Sequence, residues 1–250
     1  MRDKINELVS KIRHENPLIL NITNYVTMDF IANGLLSIGA SPVMSKAPTE
    51  IADLMQYAKA VVINLGTLNE EFIDLCRHTM ALANQFNKPI ILDPVGAGAS
   101  QYRTDVCRSF LHDYDIAIIR GNASEVMALV DSTQKTKGVD STSETSAAIA
   151  SAKILSKQYG AAIIISGKID IIVDQDAVAE CDRGSALMPT VTGTGCLLTA
   201  VIGAFHAIEP NRFEACKIGT LFYAICGENA EKHSNGPGTF RSAFLDALHL

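Results

Sequence analysis

Charge is scarce in this 250-residue chain: 19% of residues are Asp, Glu, Lys or Arg, against 48% hydrophobic. The net charge is −6 and no Lys/Arg run is longer than two residues, so the chain carries no electrostatic footprint for nucleic acid. Long apolar runs are also missing. None reaches the roughly 18 to 20 residues that a membrane span needs. The N-terminal MRDKINELVSKIRHENP is charged and amphipathic, without the uncharged core of a signal peptide. The expectation is a soluble, cytoplasmic protein. No C-x-x-C pair and no Cys/His cluster at zinc spacing occurs among the six cysteines, which argues against a disulfide scaffold or structural zinc. Five of them read as small buried apolar residues.

Catalytic signatures are missing as well. There is no G-x-x-x-x-G-K-[ST] loop, so any nucleotide is held in another way, and there is no G-x-S-x-G elbow. The six histidines fall mostly within or at the ends of helical segments, which leaves a cysteine hydrolase without an imidazole partner.

What the chain does have is enough apolar residue for one large core, and the expectation is a single domain over residues 1–250. Short β-branched runs at 17–22, 60–65, 89–93, 115–120 and 161–166 are apolar on both faces, as strands covered on both sides must be. Helical patterns alternate with them at 27–38, 68–86, 101–112, 123–130 and 143–159, and Ile5, Leu8, Val9 and Ile12 mark a further amphipathic helix at the start. This alternation predicts an α/β fold with a doubly wound, mostly parallel sheet. Residues 168–181 read as an antiparallel hairpin at the sheet edge, 131–146 as a polar surface loop, and everything from 193 onward as helix.

In such a sheet ligands bind beyond the carboxyl ends of the strands, where strand order reverses. Polar and glycine-rich spots follow the strand ends here: Asn21 to Asn24, Asn64 to Gly66, Asp93 to Gly98, Arg120 to Glu125 and Ser166-Gly167. Asp93 in LDPVGAGAS can hold a cation or a water network at the crevice, or simply end its strand and cap the next turn. Glu125 stands in the first turn of a helix, where a carboxylate gains from the dipole; it either caps that helix or shares a hydrated magnesium ion with Asp93. Arg120, ending a hydrophobic strand, suits a phosphate through its rigid fork of donors.

The strongest single stretch is TVTGTGCLLTAVIGAF, residues 190–205. Gly193 and Gly195 at a helix start leave amides unobstructed for an anion, and a thiol placed there has a lowered pKa. Cys196 is then a nucleophile, a base, or a passive residue of the helix start.

Taken in order, NPLILNITNYVTMDFIANGLLSIGASPVMS, NLGTL, ILDPVGAGAS, RGNASEV, VTGTGCLLTAVIGAF and GPGTFRSAFLDAL resemble the hydroxyethylthiazole kinase family of the ribokinase-like superfamily, over nearly the whole chain. The resemblance implies ATP- and Mg2+-dependent phosphorylation of the hydroxyl of 4-methyl-5-(2-hydroxyethyl)thiazole in thiamine salvage. It also implies a homotrimer with active sites between subunits. Matched by motif, Asn24, Val26 and Met44 line the thiazole site with Gly66 nearby, and Arg120 and Ser166 meet the nucleotide. Asp93 and Glu125 serve the magnesium and phosphate end, Gly193 and Gly195 form the anion-stabilising turn, and Cys196 faces the reacting hydroxyl, where related sugar kinases carry an aspartate base. With the helix dipole lowering the thiol pKa and phosphates raising it, a mixture of thiol and thiolate is expected. Two departures stand out: Leu20 occupies a place where relatives often have His, and the chain ends at Leu250, soon after GPGTF. Two other readings are a binding protein that lost its chemistry and a kinase for another heteroaromatic alcohol; the first has no need of Asp93, Glu125 and Cys196 together.

Overall fold

The five strand-like runs alternate their side chains between two apolar layers, which is why they contain almost no polar residue before their last positions. Ile19, Val62, Ile91, Ile118 and Ile164 enter one core, while Leu20, Val61, Leu92, Ile119 and Ile163 enter the other. A computed structural model describes residues 1–130 and 144–249, and places these runs in one eight-stranded sheet ordered β2-β1-β3-β4-β5-β6-β7-β8. The strands are β1 (Leu18–Ile22), β2 (Ser41–Met44), β3 (Ala60–Asn64), β4 (Ile90–Asp93), β5 (Ile118–Asn122), β6 (Ala162–Ser166), β7 (Asp170–Asp174) and β8 (Ala177–Cys181). Pairing is parallel from β2 through β6 and antiparallel for the last two, so the hairpin expected over 168–181 is present at the edge.

Helices cover both faces. On one lie α1 (Arg2–Glu15), α2 (Met28–Ile38), α8 (Thr194–Ile208), α9 (Arg212–Lys232) and α10 (Pro237–Leu248); on the other lie α3 (Ile51–Tyr57), α4 (Glu70–Gln85), α5 (Gln101–Asp113), α6 (Ala123–Leu129) and α7 (Glu144–Tyr159). The amphipathic spacing at the N-terminus is realised, since Ile5, Leu8, Val9 and Ile12 are the buried residues of α1. Helix α8 is apolar nearly all round because it is enclosed by the sheet, α2 and α9; its residues Leu197 through Phe205 are all buried.

Two elements depart from the sequence reading. Strand β2 has no run of buried residues to announce it: Ser41, Pro42, Val43 and Met44 are all half-buried, as an edge strand is, and Pro42 is tolerated only at such an edge. Helix α3 is only 7 residues long and buries just Ile51 and Met55, too short for its period to register. The polar stretch 131–146 lies outside the described residues up to 143, and its last residues open α7.

Strand order reverses between β1 and β3, because β1 pairs with β2 on one side and β3 on the other. The crevice at that switch point opens beyond Ile22 and Asn64.

Candidate active site

The register of the parallel strands lines polar side chains up across the sheet's carboxyl edge. Asn64 pairs with Asp93 across β3 and β4, and Asn122 pairs with Ser166 across β5 and β6. Asp93 is fully buried, and its Oδ2 accepts from Asn64 Nδ2 at 2.8 Å and from Thr199 Oγ1 at 2.8 Å. Arg120 NH1 stands 3.7 Å from the same oxygen, while Arg120 Nε donates to Ser166 Oγ at 2.8 Å. Burial pushes the Asp93 carboxyl up to about 6; Arg120 and the hydroxyl of Thr199 pull it down, and Glu125 adds to the rise.

From Asn64 the network continues to the alcohol side. Asn24 Nδ2 donates to Asn64 Oδ1 at 2.7 Å and to Cys196 Sγ at 3.5 Å. Asn24 Oδ1 accepts from the Thr27 amide just ahead of α2. Gly66 lies against Asn24 so tightly that a Cβ there would come within 2.7 Å of the Asn24 Cβ. Arg103, on α5, donates from its guanidinium to the carbonyls of Leu65, Gly66 and Val95 and so fixes the loops after β3 and β4 together.

Cys196 occupies the first turn of α8. Gly193, the residue before that helix, has φ +96°, a conformation suited to glycine, and a Cβ there would also lie 2.8 Å from Thr27 Cγ2. Gly195 permits another close approach: its missing Cβ would be 2.6 Å from Arg120 NH1. The amides of Gly195 and Cys196 belong to the first turn, where a helix offers no internal acceptor, and they point out of its positive end. Cys196 is half-buried, and the other five thiols are buried. Burial pushes the Cys196 thiol up and Asp93 adds to it, outweighing the nearby polar side chains and the charge of Arg120. The expected mixture of thiol and thiolate therefore gives way to a protonated thiol at neutral pH. A helix start lowers a thiol pKa, but partial burial and the Asp93 carboxylate act the other way here.

On the far side of Arg120 a cleft of about 810 Å³ runs between the β6 end, the segment leading into α8, and α9. Arg120, Ser166, Lys168, Thr194, Gly195 and Tyr223 are among its walls. Tyr223 donates its hydroxyl to the Thr194 carbonyl at 2.6 Å, bracing the first turn of α8.

The structure thus brings together Asn24, Gly66, Asp93, Arg120, Ser166, Gly193, Gly195 and Cys196. Val26 and Met44 stand outside the hydrogen-bonded network: Val26 is 70% exposed, and Met44 is half-buried at the end of β2 beside Asn21. Leu20 is fully buried in the core on the α3–α4 face. Glu125 carries the capping box of α6, its Oε2 accepting from the Asn122 amide and its Oε1 from the Gly96 amide, both at 2.8 Å. The capping role is present, and it holds the Glu125 carboxylate across the loop after Asp93. Sequence reasoning missed Thr199 and Arg103. Thr199 reads as helix interior, and only its placement three residues after Cys196 on a helix start could have drawn attention to it.

Asp93 Oδ1 is buried with no hydrogen-bond partner among the described residues, and a second carboxylate raises its pKa. Those are the marks of a place where a cation would offset charge. Two carboxylates, Asp93 and Glu125, are a donor set that fits an ion taking few protein ligands and keeping water, as Mg2+ does.

A mostly parallel sheet between two helical layers, with a cleft at its carboxyl edge and a glycine-rich helix start facing an arginine, defines a small-molecule kinase of the ribokinase-like fold. A ribokinase-like superfamily protein from Enterococcus faecalis superposes with a TM-score of 0.68 at 13% identity, covering 93% of this chain and 86% of that one, which speaks to the fold alone. The chain belongs to the hydroxyethylthiazole kinase family, whose model matches residues 9–250. It is 43% identical over 251 residues to a hydroxyethylthiazole kinase of Chlamydia abortus, covering 100% of this chain and 95% of that one. The solved structure of a hydroxyethylthiazole kinase protein from Pyrococcus horikoshii superposes with a TM-score of 0.90 at 32% identity, covering 99% of this chain and 93% of that one. No helix among the described residues is long and apolar enough to cross a membrane.

Proposed function

We propose that the protein transfers the terminal phosphoryl group of ATP to the hydroxyl of 4-methyl-5-(2-hydroxyethyl)thiazole, with Mg2+, as a cytoplasmic homotrimer built from single-domain chains. The observation that carries this reading is the position of Cys196, whose sulfur meets Asn24 on the switch-point side while the adjoining Gly195 meets Arg120 at the mouth of the cleft. An alcohol beside the thiol and a nucleotide in the cleft would then meet at the start of α8.

Arg120, held in place by Ser166, presents donors to the phosphate chain, and the first-turn amides of α8 supply further donors where charge develops on the transferred group. Asp93 and Glu125 would hold Mg2+, which would offset negative charge on the phosphates. Asn24 and Gly66 shape the alcohol side, with Met44 at the neighbouring strand end.

Cys196 orients the hydroxyl through its thiol, and the hydroxyl proton leaves late, to an oxygen of the transferred phosphoryl group. Phosphoryl transfer is loose in most analyses, so the hydroxyl keeps its proton until bond formation to phosphorus is well advanced, and a thiol that only orients the alcohol suffices. The phosphoryl group passes directly to the alcohol, with no phospho-cysteine. A coupled ADP-release assay across thiazole, pyrimidine and pyridoxine alcohols, with and without Mg2+, tests the reading. Turnover with the thiazole alcohol and Mg2+ is expected; turnover only with another alcohol refutes the substrate, and undiminished turnover without divalent ion refutes the metal.

A further inference from the structure

We propose that Asn64 is a positioning residue that links the buried carboxylate of Asp93 to the Cys196 thiol and fixes the direction in which that thiol faces its alcohol. The inference rests on the reading of Cys196 as the group beside the alcohol.

Asn64 is fully buried at the end of β3, opposite Asp93 in the strand register. A carboxylate only accepts hydrogen bonds, so Asn64 must turn its NH2 toward Asp93 and its carbonyl the other way. That carbonyl then accepts from Asn24 Nδ2 at 2.7 Å and from the Gly66 amide at 3.1 Å. Asn24 is thereby held with its NH2 inward and its carbonyl toward the Thr27 amide, 3.1 Å away. One hydrogen of the Asn24 NH2 serves Asn64; the other is left for Cys196 Sγ at 3.5 Å.

Each amide in this chain has its orientation set by the one before it, starting from a group that cannot donate when ionised. The sulfur ends as an acceptor from the protein, which leaves its S–H free to turn outward. Were Asn24 to rotate by half a turn, its carbonyl would face the thiol and capture that S–H instead. Asn64 touches no reacting atom in this arrangement; it acts through Asn24 on Cys196.

A double-mutant cycle between Asn64 and Cys196 distinguishes positioning from general structural support. Asn64→Ala should lower kcat about tenfold in the native background, with the ATP KM changed by less than about twofold, and should cost less than about twofold once Cys196→Ala is present. Losses that multiply in the two backgrounds, or no loss in the native one, overturn the proposal. Thermal unfolding checks each variant, and Asn64→Ser takes the place of Asn64→Ala should that fail to fold. A second measurement needs no kinase activity: alkylation of Cys196 by iodoacetamide at fixed pH, followed by mass spectrometry. The other five thiols are buried, so the reagent reads Cys196. Losing the amide donor should slow this reaction about threefold, because hydrogen bonds to sulfur favour the thiolate; an unchanged or faster rate overturns the relay. Slowed alkylation in a protein that phosphorylates no thiazole alcohol would leave the relay standing and remove the functional reading instead.

Discussion

At the start of α8 the proposed mechanism sets a thiol beside the alcohol, where burial and Asp93 raise that thiol's pKa. Such a thiol suits a role in which orientation matters more than base strength. Cys196→Ala should then lower kcat by about 10²-fold or less, the low end of what general-base help supplies, and Cys196→Asp should keep or raise it. Steady-state kinetics on the two variants decides this; a phospho-cysteine, or complete loss in a folded Asp variant, would show that the sulfur does something else. Next to it, Gly195→Ala would drive a methyl into the Arg120 guanidinium, whose nearest nitrogen lies 2.6 Å from the added carbon. Arg120 must move or the helix start must, and overpacking of this kind costs about 1–3 kcal/mol. The ATP KM should rise about tenfold while the fold survives; an unchanged ATP KM would place the phosphates away from Arg120. Asp93 and Arg120 were legible in the sequence because each ends an apolar run, and Cys196 because it follows two glycines at the head of an apolar helix. One partner of Asp93 was not. Thr199 lies 106 residues further along the chain, and only the packing of α8 across β3 and β4 brings its hydroxyl to the carboxylate.

Among the elements, the segment between β8 and α8 walls the cleft without regular structure of its own, apart from a single 3-10 turn at Met188–Thr190. It is tied to α9 at two points. Arg183 forks onto Glu228, and the Gly184 amide donates to the same carboxylate at 3.2 Å. One turn of contact away, Met188 lies over Gly227, where a Cβ would meet its sulfur at 2.7 Å. Glu228→Gln keeps the size and removes the charge that holds both donors. Since exposed ion pairs stabilise by only about 0–1 kcal/mol, the melting temperature should barely move. The ATP KM should rise several-fold as the wall loosens, measured with saturating alcohol; no change would mean that the nucleotide does not lean on this segment. The same contrast governs what was readable at this scale. Strands buried on both faces and long helices declare themselves by period, whereas β2, half-buried and carrying Pro42, and α3, with two buried residues, declare nothing. The edge hairpin was visible because Asp174, Gln175 and Asp176 interrupt two apolar runs, and Gln175 indeed turns with φ +54°.

For the whole molecule, the reversal of strand order between β1 and β3 lies near one end of the sheet, which would set the proposed alcohol side at the margin of the chain rather than at its centre. One flank of that side is open. Val26, two residues beyond Asn24, is 70% exposed, and Tyr25 beside it is 47% exposed with the Lys46 ammonium 3.9 Å from its ring centre. A lone surface valine is ordinary. A valine at the rim of a site for an apolar ring is different, because the ring would remain half in water unless another chain closed over it. The proposed trimer would supply that cover, and the protein should then sediment at about three times its chain mass of 26.8 kDa. Val26→Lys would set an unpaired ammonium into the joint, where desolvating it is costly. Sedimentation should shift toward the single chain, and the alcohol KM should rise while the ATP KM, set on the other side of Arg120, stays nearly constant. Raising the protein concentration should restore both mass and alcohol affinity together, since closure and association would be one event. A native protein that sediments as one chain and turns over at full rate would make Val26 a plain surface residue and leave the alcohol side complete within each chain.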